Sequence, residues 1–187
     1  MAKHICPVWM GYFLASGLRK LLHNPTKLIG PYVTPDMTVL DLGCAMGFFS
    51  LPMAEAVGPE GKVVCVDVQP RMLAILKRRA ARVGLADRIE THVCRKDSIA
   101  LDDRAGSFDF ALAFAVLHEV ADQEHTWDEL AQLLKPNAHL LLAEPAGHVT
   151  EDEVEQSVSI ARKHGFVFNK VLLIRWAHAA LLTRTVS

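Results

Sequence analysis

Four acidic side chains stand at or just after the ends of short apolar runs whose composition is typical of buried β-strands. In an open parallel sheet the carboxyl ends of the strands lie at one edge, and ligands bind at that edge. We therefore expect these carboxylates to face a common ligand region and to offer it hydrogen-bond acceptors or negative charge. The acids are Asp41, Asp67, Asp97 and Glu144, and the associated runs are 38–41, 62–67, 89–94 and 139–143.

A glycine-containing turn follows the first of these runs. Gly43 and Gly47 allow the backbone to turn sharply and to approach a ligand without a Cβ, and a helix beginning near Phe48 would point its free N–H groups at that ligand. The G-x-x-x-G spacing differs from the G-x-G-x-x-G of dinucleotide-binding proteins, and Asp41 would repel a pyrophosphate. This turn therefore favours a positively charged ligand.

The acid, the glycine turn and the acid that ends the second strand resemble the first two motifs of class I S-adenosylmethionine-dependent methyltransferases. Within that class the chain is similar to small domains of the methyltransferase type 11 and ubiquinone- or menaquinone-biosynthesis kind. The resemblance implies S-adenosylmethionine as cofactor and S-adenosylhomocysteine as product. Ala45 stands where the family usually has its middle glycine, so we expect residue 45 to keep a φ that alanine tolerates.

The resemblance also implies roles for individual residues. Gly43 and Gly47 would cradle the amino-acid part of the cofactor, Asp67 would bind two ribose hydroxyls, and Asp97 would accept from the adenine amino group. A side chain at position 47 is then expected to hinder binding with little loss of fold. The full expected set is Asp41, Gly43, Cys44, Ala45, Gly47, Asp67, Val68, Met72, Asp97, Ser98 and Phe114, with Val68 and Ser98 beside the adenine.

Candidate residues on the acceptor side follow the fourth and fifth strands. Methyl transfer from a sulfonium needs an aligned nucleophile and sometimes a general base. His118, Glu144 and His148 are our candidate catalytic residues, and Glu119 lies beside the first of them. Each has a structural alternative. A histidine could be a loop residue hydrogen-bonded to backbone, Glu119 could be an acid at a helix N-terminus, and Glu144 could be a buried acid held by backbone N–H groups.

The cysteine pattern argues against a metal site. Four cysteines occur without a CxxC pair, and free cysteines on buried strands behave as small hydrophobes, so we expect a reduced, cytoplasmic protein. Cys6, His118, Glu144 and His148 would be metal ligands only if the N-terminal segment folded over the site. Because no H-x-x-x-H or paired-cysteine element is present, we predict no metal.

Length and charge bound the organisation and the partners. The 187 residues suffice for one well-buried domain, so we predict a single methyltransferase domain over 1–187, with 1–35 as an N-terminal lid or packing segment. A net charge of -1 argues against a nucleic-acid partner and leaves a small-molecule acceptor. No run of about eighteen apolar residues occurs, so we expect no membrane span. A homodimer stays open.

Strand-like and helical patterns alternate along the whole chain and predict an α/β fold. The last two β-rich runs, 166–174 and 178–185, are joined by a link too short for a crossover helix, so they must be antiparallel. The family resemblance implies a doubly wound, Rossmann-like seven-stranded sheet. Its strand order would be 3-2-1-4-5-7-6, with the last strand antiparallel.

These expectations favour an enzyme that methylates a small molecule, and three alternatives remain. The acceptor could be a lipid quinone, which the apolar N-terminal stretch and the family resemblance favour. The chain could also be a catalytically inactive cofactor-binding subunit of a partner complex, for which Ala45 is the support. An RNA or protein acceptor is disfavoured by the near-neutral charge. It is also disfavoured because the chain reads Phe114-Ala-Val-Leu-His118 after the fourth strand and has no Asn-Pro-Pro-Tyr-like element there.

Overall fold

The computed structural model describes residues 24–185, so most of the predicted lid at 1–35 lies outside the described residues, as does Cys6. The helices are α1 (Pro25–Ile29), α2 (Ser50–Ala56), α3 (Pro70–Arg82), α4 (Gln123–Leu133) and α5 (Glu151–Lys163). The strands are β1 (Thr38–Leu42), β2 (Lys62–Asp67), β3 (Ile89–Val93), β4 (Phe108–Phe114), β5 (Leu134–Pro145), β6 (Phe166–Val171) and β7 (Ala177–Arg184).

The seven strands form one sheet in the order β3-β2-β1-β4-β5-β7-β6, which confirms the predicted doubly wound topology. The pairs β1–β2, β2–β3 and β4–β5 are parallel, whereas β7 runs antiparallel to both β5 and β6. The chain also divides into two compact units, one ending at Cys94 and the other beginning at Arg95. The single domain stays a prediction, and the two units are described separately below.

In the first unit, α2 packs against β2, and α3 packs against β2 and β3. Strand β2 is buried from Val63 to Asp67, as expected for a central strand covered on both faces. Helix α3 begins with Pro70, where the missing N–H breaks no intrahelical hydrogen bond. Its apolar residues recur every three or four positions, so one face is buried; that face comprises Met72, Leu73, Ile75, Leu76 and Ala80. These elements hold the glycine turn in place.

In the second unit, α5 opens with a capping box. The Thr150 hydroxyl accepts from the backbone N–H of Glu153, and the Glu153 carboxylate accepts from the backbone N–H of Thr150. Strand β5 begins earlier than predicted, at Leu134 instead of His139, because Leu134 pairs with Phe108 directly after α4 ends. The predicted run at 166–174 likewise ends as a strand at Val171.

Candidate functional site

The turn after β1 holds three residues in the left-handed region, with φ of 71° at Gly43, 47° at Ala45 and 82° at Gly47. The backbone N–H groups of Gly43 and Cys44 both donate to the Val66 carbonyl, at 2.8 and 3.0 Å. The turn is thus fixed to the end of β2. The expectation for Ala45 needs correction, since a left-handed backbone costs an alanine about 1–2 kcal/mol relative to its preferred conformations.

Asp67 ends β2 with its carboxylate buried and partly satisfied by backbone. The N–H of Ala45 donates to Oδ2 at 2.9 Å, and the N–H of Gln69 donates to Oδ1 at 2.8 Å. Burial raises the pKa of Asp67 above its ordinary value, and these two hydrogen bonds oppose that rise. An ionised carboxylate accepts about four hydrogen bonds, so acceptor positions remain on both oxygens. The acid is therefore tied to the glycine turn and keeps capacity to accept further hydrogen bonds.

Asp41 lies beneath the same turn and is buried. Its Oδ2 accepts from the hydroxyl of Ser50, the first residue of α2, at 2.5 Å. This contact ties the end of β1 to the start of the helix, so Asp41 also has a structural role. The carboxylate still places negative charge under the turn, which suits a cationic ligand.

Other residues of the predicted cofactor set are packed inside the first unit. Met72 is buried in a small cluster with Met46 and Ile75, against which Ala45 packs. The Cys44 thiol is buried too, and its pKa is raised by that burial and then by the neighbouring Cys65. Val68 is half-buried after β2. Met72 thus packs against the turn, and the Cys44 side chain is buried within it.

Gly47 faces α3 and not open space. A Cβ placed there would lie 2.1 Å from Cδ1 of the fully buried Leu76. The Arg79 guanidinium donates to the neighbouring Met46 carbonyl, and burial lowers the pKa of that arginine. Because α3 contacts the turn so closely, a side chain at position 47 would disturb the fold itself. The expectation of little loss of fold is therefore replaced by one of reduced stability.

We expect Gly47→Ala to lower the free energy of unfolding by about 1–3 kcal/mol more than Gly84→Ala, because only the first adds steric overlap in a packed interior. Gly84 is a matched control: its φ is 71°, close to the 82° of Gly47, and nothing lies within 4 Å of an added Cβ. Chemical denaturation of both variants measures the difference. Equal losses would show that Leu76 moves aside freely.

In the second unit, the predicted adenine contacts differ in their surroundings. The Asp97 carboxylate is exposed and lies 3.5 Å from Arg95 Nε. The Ser98 hydroxyl instead donates to the buried Glu129 carboxylate at 2.6 Å, and the backbone N–H of Ile99 donates to the same carboxylate. Glu129 thus holds this loop, a role the sequence analysis missed although an acid on the apolar face of a helix was a visible signal.

His118 and Glu144 form a pair at the ends of β4 and β5. His118 Nδ1 lies 2.5 Å from Glu144 Oε2, and Glu144 Oε1 accepts from the backbone N–H groups of Leu117 and His118, at 2.8 and 3.3 Å. Glu144 is 3% exposed and the His118 side chain is 28% exposed. A buried carboxylate thus orients a histidine that solvent reaches.

The other acceptor-side candidates are placed less closely. Glu119 Oε1 lies 3.9 Å from His118 Nε2, beyond hydrogen-bond distance. His148 is exposed in the turn after β5, where its backbone N–H donates to the Pro145 carbonyl. Phe114 is buried at the end of β4. The structure therefore brings together two of the three predicted catalytic residues, His118 and Glu144.

Between residues 24 and 185, no group of three or more His, Cys, Asp or Glu side chains is arranged to hold a metal ion. In the same described part of the chain, no helix has the length and apolarity needed to cross a bilayer.

The strand order, the acid at the end of β2 and its hydrogen bond to a left-handed glycine turn define the chain as a Rossmann-like protein of the methyltransferase class. A family model described as "Methyltransferase domain" matches residues 33–174. The chain belongs to this family.

Curated relatives carry more specific names. The chain is 29% identical over 161 residues to an arsenite methyltransferase of Aquipseudomonas alcaligenes, covering 74% of this chain and 46% of that protein. It is 27% identical over 112 residues to a demethylmenaquinone methyltransferase of Bacillus cereus, covering 60% of this chain and 46% of that protein. The chain thus spans about half the length of these relatives.

A solved structure has the same fold over nearly its whole length. It is described as an S-adenosylmethionine-dependent methyltransferase from Aquifex aeolicus, and the comparison gives a TM-score of 0.85 at 23% identity. The match covers 96% of this chain and 99% of that one. At this identity the likeness establishes the fold alone.

Proposed function

We propose that this protein is an S-adenosylmethionine-dependent methyltransferase that acts on a small molecule. The observation that carries the proposal is the hydrogen bond between the Asp67 carboxylate and the backbone N–H of Ala45. It fixes the predicted ribose acid against the turn predicted to hold the amino-acid part of the cofactor. Family membership supports the same activity.

The residues of the first unit fit this cofactor. Asp67 keeps acceptor positions for ribose hydroxyls after its two backbone contacts. The buried Asp41 carboxylate lies under the turn, where negative charge would favour a sulfonium and an ammonium group. When bound, S-adenosylmethionine supplies an electrophilic methyl group. For the adenine, Asp97 remains a predicted contact.

His118 is the proposed general base. Glu144 Oε1 accepts from two backbone N–H groups, and we assign His118 Nδ1 as the donor to the other oxygen, Oε2. The proton of the neutral imidazole then resides on Nδ1, and Nε2 is the basic nitrogen. His118 can therefore take a proton from the acceptor's attacking group, while Glu144 fixes the tautomer and stabilises the imidazolium.

This arrangement favours acceptors whose nucleophile must lose a proton, such as phenols, thiols, amines and quinols. A lipid quinol is a second candidate, supported by the similarity to the demethylmenaquinone methyltransferase of Bacillus cereus. Arsenite is a third compound to test, because another relative is named for it. A cofactor-binding subunit without chemistry would bind S-adenosylmethionine and turn over none of these compounds.

We expect both S-adenosylmethionine and S-adenosylhomocysteine to bind the purified protein in isothermal titration. S-adenosylhomocysteine production is then screened with the acceptor classes named above. Adenosine triphosphate is the matched control ligand, since it shares adenine and ribose but has a polyanionic tail that Asp41 disfavours. Failure of both sulfur compounds to bind at high micromolar concentration would refute the proposed function.

A further inference from the structure

The turn between β6 and β7 exposes large apolar side chains. Leu173 is fully exposed at 101%, and Val171 and Trp176 are each 61% exposed. The turn is nevertheless held in place, because Ile174 and Ala177 form a β-bridge and the backbone N–H of Ala146 donates to the Trp176 carbonyl. We call residues 171–176 the hairpin tip. It presents apolar groups on an anchored backbone.

Trp176 is an unusual residue for its backbone position. Its φ is 59°, in the left-handed region where glycine and asparagine are the common residues. A bulky aromatic at this φ is disfavoured locally, and at 61% exposure its ring contributes little to the core. Packing among residues 24–185 therefore gives no reason for a tryptophan here, which points to a contact beyond the described residues.

The strands and turn of this hairpin carry positive charges and no negative ones. Residues 166–187 contain Lys170, Arg175 and Arg184 and no Asp or Glu, although the whole chain has a net charge of -1. Arg184 is turned inward, donating to the carbonyls of Ala131 and Gly165. The Arg175 guanidinium lies 4.6 Å from the centroid of the Trp176 ring. Exposed apolar groups and cations thus occur together.

This combination favours a bilayer over a protein partner. Tryptophan and arginine side chains have an apolar body and a polar end, which suits the membrane–water interface, and cations attract anionic headgroups. A stable protein interface buries about 800 Å² on each side, more than a few side chains at one turn provide. The β6 edge is also interrupted, since its register with β7 shifts between Phe168 and Lys170, and such irregularity discourages pairing with another strand.

We propose that the hairpin tip docks the protein on anionic lipid bilayers. Leu173 and Trp176 enter the interfacial region, and Lys170 and Arg175 contact lipid phosphates. The docking does not depend on the proposed enzymatic function. It would bring any apolar acceptor dissolved in the bilayer to the surface on which the protein sits.

Vesicle co-sedimentation of the full chain tests this inference. We expect binding to vesicles of equal parts phosphatidylglycerol and phosphatidylcholine, weaker binding to phosphatidylcholine alone, and loss of binding at high salt because screening weakens the cationic contacts. Leu173→Asp and Trp176→Ser should each lower the partition coefficient at least roughly tenfold, since each removes an inserted apolar side chain. Both positions are exposed, so the melting temperature should stay unchanged.

Val83→Asp is the matched control for Leu173→Asp. Val83 is 58% exposed at the end of α3, and its replacement by Asp makes the same change of charge. It should bind vesicles like the unchanged protein. The inference is overturned if the unchanged protein does not bind anionic vesicles, or if Val83→Asp weakens vesicle binding as much as Leu173→Asp does. It is also overturned if light scattering shows a dimer that Leu173→Asp dissociates, which would assign the tip to a second copy.

Discussion

His118→Ala is expected to slow methyl transfer by roughly a hundredfold to ten-thousandfold, the range that general-base catalysis supplies. Cofactor affinity should stay nearly unchanged, because the Asp67 carboxylate and the glycine turn in the first unit do not involve His118. Single-turnover rates with a confirmed acceptor measure the first quantity, and titration with S-adenosylmethionine measures the second.

Glu144→Gln tests whether Glu144 and His118 act as one catalytic unit or as two independent residues. Glutamine keeps the shape and one acceptor oxygen but loses the charge that stabilises the imidazolium. We therefore expect a slower rate, and a double variant with His118→Ala no slower than His118→Ala alone, because groups that act as a unit are not additive. Additive losses would show that Glu144 supports the loop and takes no part in orienting the base.

His164→Ala is the matched control for loss of a histidine paired with a glutamate. His164 Nε2 lies 2.8 Å from Glu124 Oε2, where α4 and α5 meet. Its replacement should leave the rate nearly unchanged, because the side-chain contacts of His164 are with Glu124 and Asp128 and not with His118 or Glu144. If His148→Ala slows transfer while His118→Ala does not, the base lies in the turn after β5 and the present assignment is wrong.

The fold could be predicted from the sequence because its signals are local. Strand β4 is apolar except at Asp109, α5 begins with a capping box, and the link between β6 and β7 is too short for a helix. The family resemblance then supplied the strand order. The strand pattern, the capping box and the short link each depend on neighbouring residues, so predicting them required no knowledge of long-range contacts.

The parts of the site that were missed depend on contacts between distant residues. Gly47 meets Leu76 on another element, and Ser98 meets Glu129 across 31 positions. Neither pairing can be read from the sequence, although Glu129 stands out there as an acid on the apolar face of α4. For Glu144 the sequence left a choice between a buried acid held by backbone and a catalytic group. The structure shows the backbone contacts together with the hydrogen bond to His118, so the two descriptions apply to one residue.

Asp67→Ala is expected to weaken S-adenosylmethionine binding at least roughly tenfold, since a hydrogen bond to a charged group is worth about 1.5–3 kcal/mol and two ribose hydroxyls lose their acceptor. The substitution also leaves the N–H groups of Ala45 and Gln69 without their partner. Asp67→Asn keeps one acceptor oxygen and the side-chain volume, so a comparable loss in that variant would isolate the role of the charge.

The pH dependence gives this prediction a second readout. Burial raises the pKa of Asp67, so the carboxylate gains its proton at a higher pH than an ordinary aspartate. Cofactor affinity should therefore fall as pH is lowered toward that raised pKa, and this dependence should disappear in Asp67→Asn.

The effect of pH on folding has the opposite sign. Because the pKa of Asp67 is raised in the folded state, the group stabilises the fold at pH values below the ordinary aspartate pKa, and this stability is lost as pH rises through the folded pKa. An ionised Asp67 thus weakens the fold near neutral pH, which is consistent with a role in binding.

Asp87→Asn is the matched control, because it makes the same change of charge at an exposed position in the same unit. It should alter neither the cofactor affinity nor the pH dependence of that affinity. An unchanged dissociation constant in folded Asp67→Ala would show that β2 does not hold the ribose.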